Sequence, residues 1–328
     1  MNPSFRTLRR RAAIGVLLAF GAAAASGPAL AAEPFPSKPI TLVMPFPPGG
    51  SFDPIFRTLA EAASRELGQP IVLMHKPGAG GINGPGTVAQ MSEADGYTLA
   101  VMHNSVIRAP LIQKVSWDPL RDFTYLAGLF GMATGVAVAT DAPWKTLDEL
   151  LAEAKKRPGA LSWGTVGATS INRIYGERLA RLNGTTFNMV PFKGGSEAFT
   201  ALIGHHLDVY GDPGFGAQVQ GGKVRLLATF TAERLRRYPE VPTVKELGHD
   251  LVIESPVGLV APKNLDPKVG ARLAAAFRKA AADPAYLNQL DQFDMQAKWI
   301  DGSAYTAYAK AQFERDAKML AELGFKPE

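Results

Sequence analysis

From about residue 38 onward, short apolar runs alternate with amphipathic stretches. Residues 40–46 form a nearly continuous apolar run closed by Pro47-Pro48-Gly49-Gly50, the pattern of a buried strand ending in a turn. Behind it, Ile55, Phe56, Leu59, Ala63 and Leu67 recur at near-helical spacing and predict a helix over residues 53–67. Asp53 suits its N-cap, Pro54 its first helical position and Gly68 its stop. The same reading predicts strands over residues 71–75, 98–102, 135–140, 161–164, 187–190, 207–210, 225–229 and 257–260. Helices are predicted over residues 87–92, 146–156, 170–182, 196–203, 215–221, 267–282, 284–293 and 303–323, with Thr146-Leu147-Asp148-Glu149 as a capping box. Repeated β–α alternation implies the α/β class, with mainly parallel sheets flanked by helices. The length suits two lobes better than one sheet, with the chain crossing near residues 131–136 and returning near 254–257. That makes residues 33–134 and 257–328 one lobe and 135–256 the other.

The first 32 residues stand outside this pattern. Arg6, Arg9, Arg10 and Arg11 precede an apolar stretch over residues 12–25, and Ala29, Ala31 and Ala32 follow before Glu33. This is an export signal, cleaved near residues 31–33, and it implies a periplasmic protein. Its apolar stretch falls short of the roughly 20 residues a spanning helix needs. Its removal changes the electrostatics. Four of the 35 basic residues and none of the 30 acidic ones lie before residue 33, so the formal charge of +5 falls to +1. A chain so balanced, with no basic stripe interleaved with aromatics, has no electrostatic case for nucleic acid. A hydrophobic fraction of 46% and a charged fraction of 20% exclude disorder and a multi-span membrane protein. Cysteine is absent, which excludes disulfides and thiolate chemistry.

Candidate chemistry sits in three glycine-rich turns between a predicted strand and a predicted helix. They are Phe46-Pro47-Pro48-Gly49-Gly50-Ser51-Phe52-Asp53, Gly164-Thr165-Val166-Gly167-Ala168-Thr169-Ser170 and Phe192-Lys193-Gly194-Gly195-Ser196. Free N–H groups at such turns form anion-binding nests, and ligands of open α/β sheets lie at this edge. A small carboxylate fits them. Asp53 reads first as a helix cap and, if its carboxylate faces the cleft instead, as a group selecting a ligand cation. Lys193 reads as a neutralising group or a solvated lysine, and Asp212 as a cleft residue or a cap. Neither a nucleophile elbow nor a phosphate loop is present. Gly84-Pro85-Gly86-Thr87-Val88-Ala89 has a dinucleotide-loop spacing but lacks the acidic residue that should follow. The five histidines make no metal-ligand spacing, so no metal or cofactor is expected.

Phe35-Pro36-Ser37-Lys38-Pro39-Ile40 followed by Pro45-Phe46-Pro47-Pro48-Gly49-Gly50-Ser51 closely resembles the start of the Bug-type receptors. These are the extracytoplasmic substrate-binding proteins of tripartite tricarboxylate transporters. The likeness continues in order through Gly68-Gln69-Pro70, Lys76-Pro77-Gly78-Ala79-Gly80-Gly81, Asp95-Gly96-Tyr97-Thr98-Leu99, Pro191-Phe192-Lys193-Gly194, Gly221-Gly222-Lys223-Val224-Arg225 and Tyr238-Pro239-Glu240-Val241-Pro242-Thr243. The resemblance implies a two-lobed periplasmic binding protein of the Venus-flytrap type. Such a protein is a non-catalytic monomer that closes on a small carboxylate and delivers it to membrane permease subunits. Carried onto this chain, the ligand-binding positions are Phe46, Gly50, Ser51, Asp53, Asn104 and Ser105 in the first lobe. In the second they are Gly167, Thr169, Ser170, Lys193 and Asp212. A sensor docking on a membrane signalling protein, or an exported enzyme acting on small acids, are the alternatives. The chain departs from the family at Phe52, where a small hydroxyl residue is usual, and at His75-Lys76, where Asn-Arg is usual. Phe46 and Phe52 then either narrow the cleft toward an aromatic or long-chain acid, or Phe52 packs beneath its loop.

Overall fold

The structure is a computed structural model that describes residues 35–91, 93–167, 170–211 and 213–324. The expected export signal lies outside the described residues, as do Thr169 and Asp212. The first part of the chain runs β1 (Ile40–Met44), α1 (Phe52–Leu67), β2 (Ile71–His75), α2 (Asn83–Ala89), β3 (Thr98–Met102), α3 (Asn104–Arg108) and β4 (Phe123–Gly131). The middle part runs β5 (Gly135–Ala139), α4 (Leu147–Lys156), β6 (Ser162–Val166), α5 (Ile171–Leu182), β7 (Asn188–Phe192), α6 (Gly195–Ile203), β8 (Val209–Tyr210), α7 (Gly216–Gln220) and β9 (Val224–Thr229). The last part is β10 (Pro256–Pro262), α8 (Pro267–Ala280), α9 (Pro284–Gln292), β11 (Gln296–Asp301) and α10 (Gly302–Leu323).

Two sheets result, one per lobe. The first has the order β11-β4-β10-β3-β1-β2 and the second β7-β6-β8-β5-β9. Between the named strands, parallel pairing, the hallmark of β–α–β crossovers, joins β2-β1-β3 and β7-β6-β8. The strands that carry the chain from lobe to lobe pair antiparallel: β10 with β3 and β4, β11 with β4, and β5 with β8 and β9. A strand arriving from the other lobe enters its sheet against the local direction, so the sheets are mixed rather than mainly parallel.

Side-chain alternation explains how the second sheet is buried on both faces. Along β5, Val136 and Val138 join one apolar cluster with Trp144, Leu150 and Trp163, while Ala137 joins the other with Phe199, Leu202 and Phe215. Period-2 geometry sends alternate residues to opposite faces. In the first lobe, Val43, Ala100, Met102, Val260 and Tyr305 share one core. Near the far end of α10, Met319 and Leu320 pack on Ile174 of α5, so one helix touches both lobes. The crossing segments are tied together, since Met132 N–H donates to Ser255 O at 2.9 Å and Phe230 N–H to Thr134 O at 2.9 Å.

Local signals behaved as their chemistry requires at several ends. Thr146 caps α4 by accepting from Glu149 N–H, and Gly68 ends α1 at φ 74° in the left-handed region. Five elements differ most from expectation. Helix α1 starts at Phe52 after Ser51, so Asp53 is not its N-cap and Pro54 is not its first residue. Helix α2 occupies residues 83–89 rather than 87–92. Its Gly84 and Gly86 allow close packing, because a Cβ there would meet Lys76 O at 3.0 Å and the Trp117 ring nitrogen at 2.7 Å. Strands β4 and β11 and the five-residue α3 were not anticipated.

Candidate ligand-binding cleft

A cavity of about 610 Å³ lies between the lobes. The β1–α1 loop supplies Phe46 to Phe52, the short turn before α2 supplies Gly80, and the β3–α3 junction supplies His103 and Ser105. From the second lobe come Val166, Ser170 and Ile171, the α6 segment from Lys193 to Ile203, Tyr210, and Gly214 and Ala217 near α7. Met132 of the first crossing and Phe293 complete the wall. The N-terminal residues of three helices of at least nine residues, α1, α5 and α6, therefore line one space. Their first-turn N–H groups and dipoles favour an anion there.

The walls meet across the cleft. Ser196 Oγ donates to Gly49 O at 3.2 Å. Gly167, at φ 80°, lies so close to Gly80 that a Cβ on it would stand 2.6 Å from the Gly80 Cα. Gly167 tolerates no side chain in this arrangement. Gly167 is thus a point of lobe contact beside the cavity rather than part of its lining.

The first-lobe loop rests on an aromatic cluster. Phe46 and Phe52 meet edge to face with centroids 5.0 Å apart, and Phe52 continues to Phe56 and Phe130 at 5.7 and 5.8 Å. Phe52 is only 6% exposed, so it underlies the loop while still facing the cavity. The His103 ring lies 5.3 Å from that of Phe46, with Nε2 3.4 Å from Gly81 O. Gly81, at φ 91°, leaves room for both rings; a Cβ would stand 2.7 Å from His103 Nε2. Burial pushes the His103 imidazole down from 6.5 to about 4, so the ring in the wall is neutral.

The polar groups differ in their commitments. Ser170 caps α5, its Oγ accepting from Arg173 N–H at 3.3 Å, and keeps its hydroxyl proton for another acceptor. Ser51 and Ser105 have no side-chain hydrogen-bond partner among the described residues, although Ser105 is 7% exposed. Lys193 lines the cavity at its exposed side, and its backbone N–H donates to Glu197 Oε2 at 3.2 Å. Phe46, Gly50, Ser51, Ser105, Ser170 and Lys193 are therefore brought together.

Asp53 and Asn104 are not. Asp53 Oδ1 lies 3.2 Å from both Arg57 Nη2 and His75 Nε2, and His75 Nδ1 lies 2.8 Å from Phe46 O. It braces the loop from behind. Asn104, 1% exposed, donates to Glu254 O at 2.9 Å and exchanges hydrogen bonds with the Tyr308 hydroxyl. It ties the β3–α3 junction to the second crossing segment. Sequence reasoning missed Gly80, His103, Met132, Phe199, Thr200, Ile203, Tyr210 and Phe293. Of these, Thr200 and Ile203 carried a signal, since they follow Ser196 at helical spacing on α6.

Among the described residues, no group of three or more His, Asp or Glu could hold a metal ion, and no helix is long and apolar enough to cross a membrane. Residues 55–325 match the family described as the tripartite tricarboxylate transporter family receptor. The chain is 41% identical over 294 residues to the UPF0065 protein in the gbd 5' region of Cupriavidus necator, covering 89% of this chain and 90% of that one. Among solved structures, periplasmic binding protein BugD superposes with a TM-score of 0.84 at 26% identity, covering 90% of this chain and 100% of BugD. MatC from Rhodopseudomonas palustris, solved with bound malate, gives 0.81 at 26% identity, covering 87% of this chain and 100% of MatC. With two α/β lobes around one cavity and a match over most of its length, the chain belongs to the tripartite tricarboxylate transporter receptor family, whose solved relatives are periplasmic binding proteins.

Proposed function

We propose that this protein is an exported periplasmic receptor that captures a small organic carboxylate between its lobes and presents it to tripartite permease subunits. Residues 1–32 act as its export signal. Residues 33–134 with 257–328, and residues 135–256, act as the two closing lobes of a monomer. The observation that carries the reading is the convergence of the α1, α5 and α6 N-termini, from both lobes, on one cavity. Fixed N–H dipoles and the hydroxyls of Ser51, Ser105 and Ser170 hold the anion without a buried ion pair, whose desolvation would offset much of its attraction. The malate bound to MatC, a relative of the same architecture, supports the ligand class. Closure is the signal, because only the liganded, closed form presents both lobes to the permease in fixed relation. The chemistry is binding rather than catalysis.

A thermal-shift screen of mono-, di- and tricarboxylates tests this. At 100 times Kd, a ligand stabilises by about 2.7 kcal/mol, a shift of several degrees. A carboxylate producing it while its amide does not is the expected result. No stabilisation by any acid would contradict the reading.

A further inference from the structure

The turn between α9 and β11 reaches across to the second lobe. β11 belongs to the first sheet, whereas Arg237 and Tyr238 follow β9 of the second. The Tyr238 hydroxyl donates to Asp294 Oδ2 at 2.8 Å, Arg237 Nη1 lies 3.2 Å from Oδ1, and Arg237 also donates to Asp291 O. Gly216, at the start of α7, admits the segment: a Cβ there would run into the Asp294 carboxylate and stand 2.8 Å from Gln292 O. Phe293 lines the ligand cavity, while Asp291, Gln292 and Asp294 line a second groove of about 1040 Å³. Four consecutive residues thus face two different spaces.

Local chemistry argues against an aspartate at residue 294. Helix α9 ends in a Schellman closure, with Met295 N–H donating to Leu290 O at 2.9 Å and Asp294 N–H to Asp291 O at 3.3 Å. Asp294 holds the left-handed position of that closure at φ 53°, where glycine is the usual residue. A carboxylate also has the wrong sign for a helix C-terminus. Its side chain is 3% exposed, and burial pushes its carboxyl up from the ordinary value. Glycine would avoid all three penalties. Such strain persists only where surrounding contacts over-determine it, and the side-chain contacts that hold Asp294 come from the other lobe.

We propose that Asp294 is the closing latch of the receptor: its carboxylate engages Tyr238 and Arg237 as the lobes come together and so fixes Phe293 in the cavity wall. It is a positioning residue that touches no ligand itself. The inference rests on the two-lobed receptor reading and names the side chain that stabilises its closed form.

The test compares the unsubstituted chain with Asp294→Gly and Asp294→Asn by calorimetric titration at pH 7 with malate, succinate, adipate and citrate. Asp294→Gly should weaken every acid that binds the unsubstituted chain about tenfold, the loss of one hydrogen bond to a charged group. Because glycine suits the helix end, the unfolding midpoint of the ligand-free chain should stay unchanged or rise. Asp294→Asn keeps an acceptor for the Tyr238 hydroxyl and should recover most of the affinity. The chain has no cysteine, so nitroxide labels on Ala271→Cys and Lys155→Cys, exposed positions of α8 and α4, report lobe separation by double electron–electron resonance. Asp294→Gly should shift the distances toward longer separations, measured with and without each acid. Equal affinities with superposable distance distributions would overturn the inference and leave the carboxylate reading standing. So would an affinity loss matched by a lowered unfolding midpoint, which is the mark of a purely structural role. No binding by any of the four acids would contradict the carboxylate reading, and the distance distributions would then decide the latch alone.

Discussion

The two walls of the cleft are built differently. The first-lobe wall is a loop laid over a buried aromatic cluster, with Phe52 at 6% and His103 at 2% exposure. The second-lobe wall combines the buried Ser170, Ile171 and Tyr210 with the N-terminal half of α6, where Ser196, Glu197 and Thr200 are exposed and only Phe199 and Ala198 reach the core. Changes to the first wall therefore alter stability and binding together. Changes to the exposed α6 positions of the second alter binding with little effect on the fold. A receptor so divided keeps its anion seat while its specificity remains free to vary.

Replacing Phe52 by Ala should have the largest effect. It removes a ring packed on three others, and large-to-small core changes of this kind cost about 3–5 kcal/mol. Urea unfolding should show that loss with an unchanged slope. A cost below about 1 kcal/mol would mean the loop does not rest on the cluster.

His103 gives the next effect, through pH. Its folded value of about 4 lies below the unfolded 6.5, so above pH 6.5 both states are neutral and stability is at its full level. As pH falls from 6.5 to about 4, the unfolded chain gains a proton that the folded chain does not. Stability then drops by up to about 3 kcal/mol, and the loss levels off below the folded value. His103→Gln should flatten that part of the pH–stability curve relative to the unsubstituted protein. Parallel curves would contradict the assignment.

Ser51→Ala should leave the unfolding midpoint nearly unchanged, because its hydroxyl has no partner among the described residues. It should weaken carboxylate binding about tenfold, the loss of one hydrogen bond to a charged group. Titration that shows equal affinity would move the anion seat elsewhere. The smallest effect is expected from Lys193→Gln. An exposed cation is screened by solvent, so affinity should change by less than about threefold and respond to salt. A hundredfold loss would make the second wall, not the first, the main anion seat.

Much of the scaffold was legible. β2 and β3 ended where short apolar runs met turn residues, and Gly68 and Thr146 closed and opened their helices by the expected chemistry. β4 was not legible. It is buried along nearly its whole length between β10 and β11, so its apolar run lacks alternation, and Gly128 and Gly131 read as breakers. Gly128 is there because Ile300 packs against it, with a Cβ reaching only 3.0 Å from the Ile300 side chain.

The site was legible where it is local and obscure where it is tertiary. The glycine-rich turns marked the helix N-termini because capping and anion binding use the same backbone groups. Asp53 was ambiguous for that same reason. Its partner His75 is placed by the β1–β2 register, which pairs Met44 with His75 and brings the imidazole to the root of the loop. No local pattern states that pairing. Phe52, read either as a cleft residue or as packing beneath its loop, does both.

The central claim is that the cleft seats a carboxylate on helix N-termini from both lobes. A crystal structure of the protein with a bound acid tests it most directly. The account predicts the carboxylate oxygens within hydrogen-bond distance of the Ser51 or Ser105 hydroxyl and of first-turn groups of α5 or α6. An acid group facing the Phe199–Ile203 end, or a ligand bound outside this cavity, would contradict it.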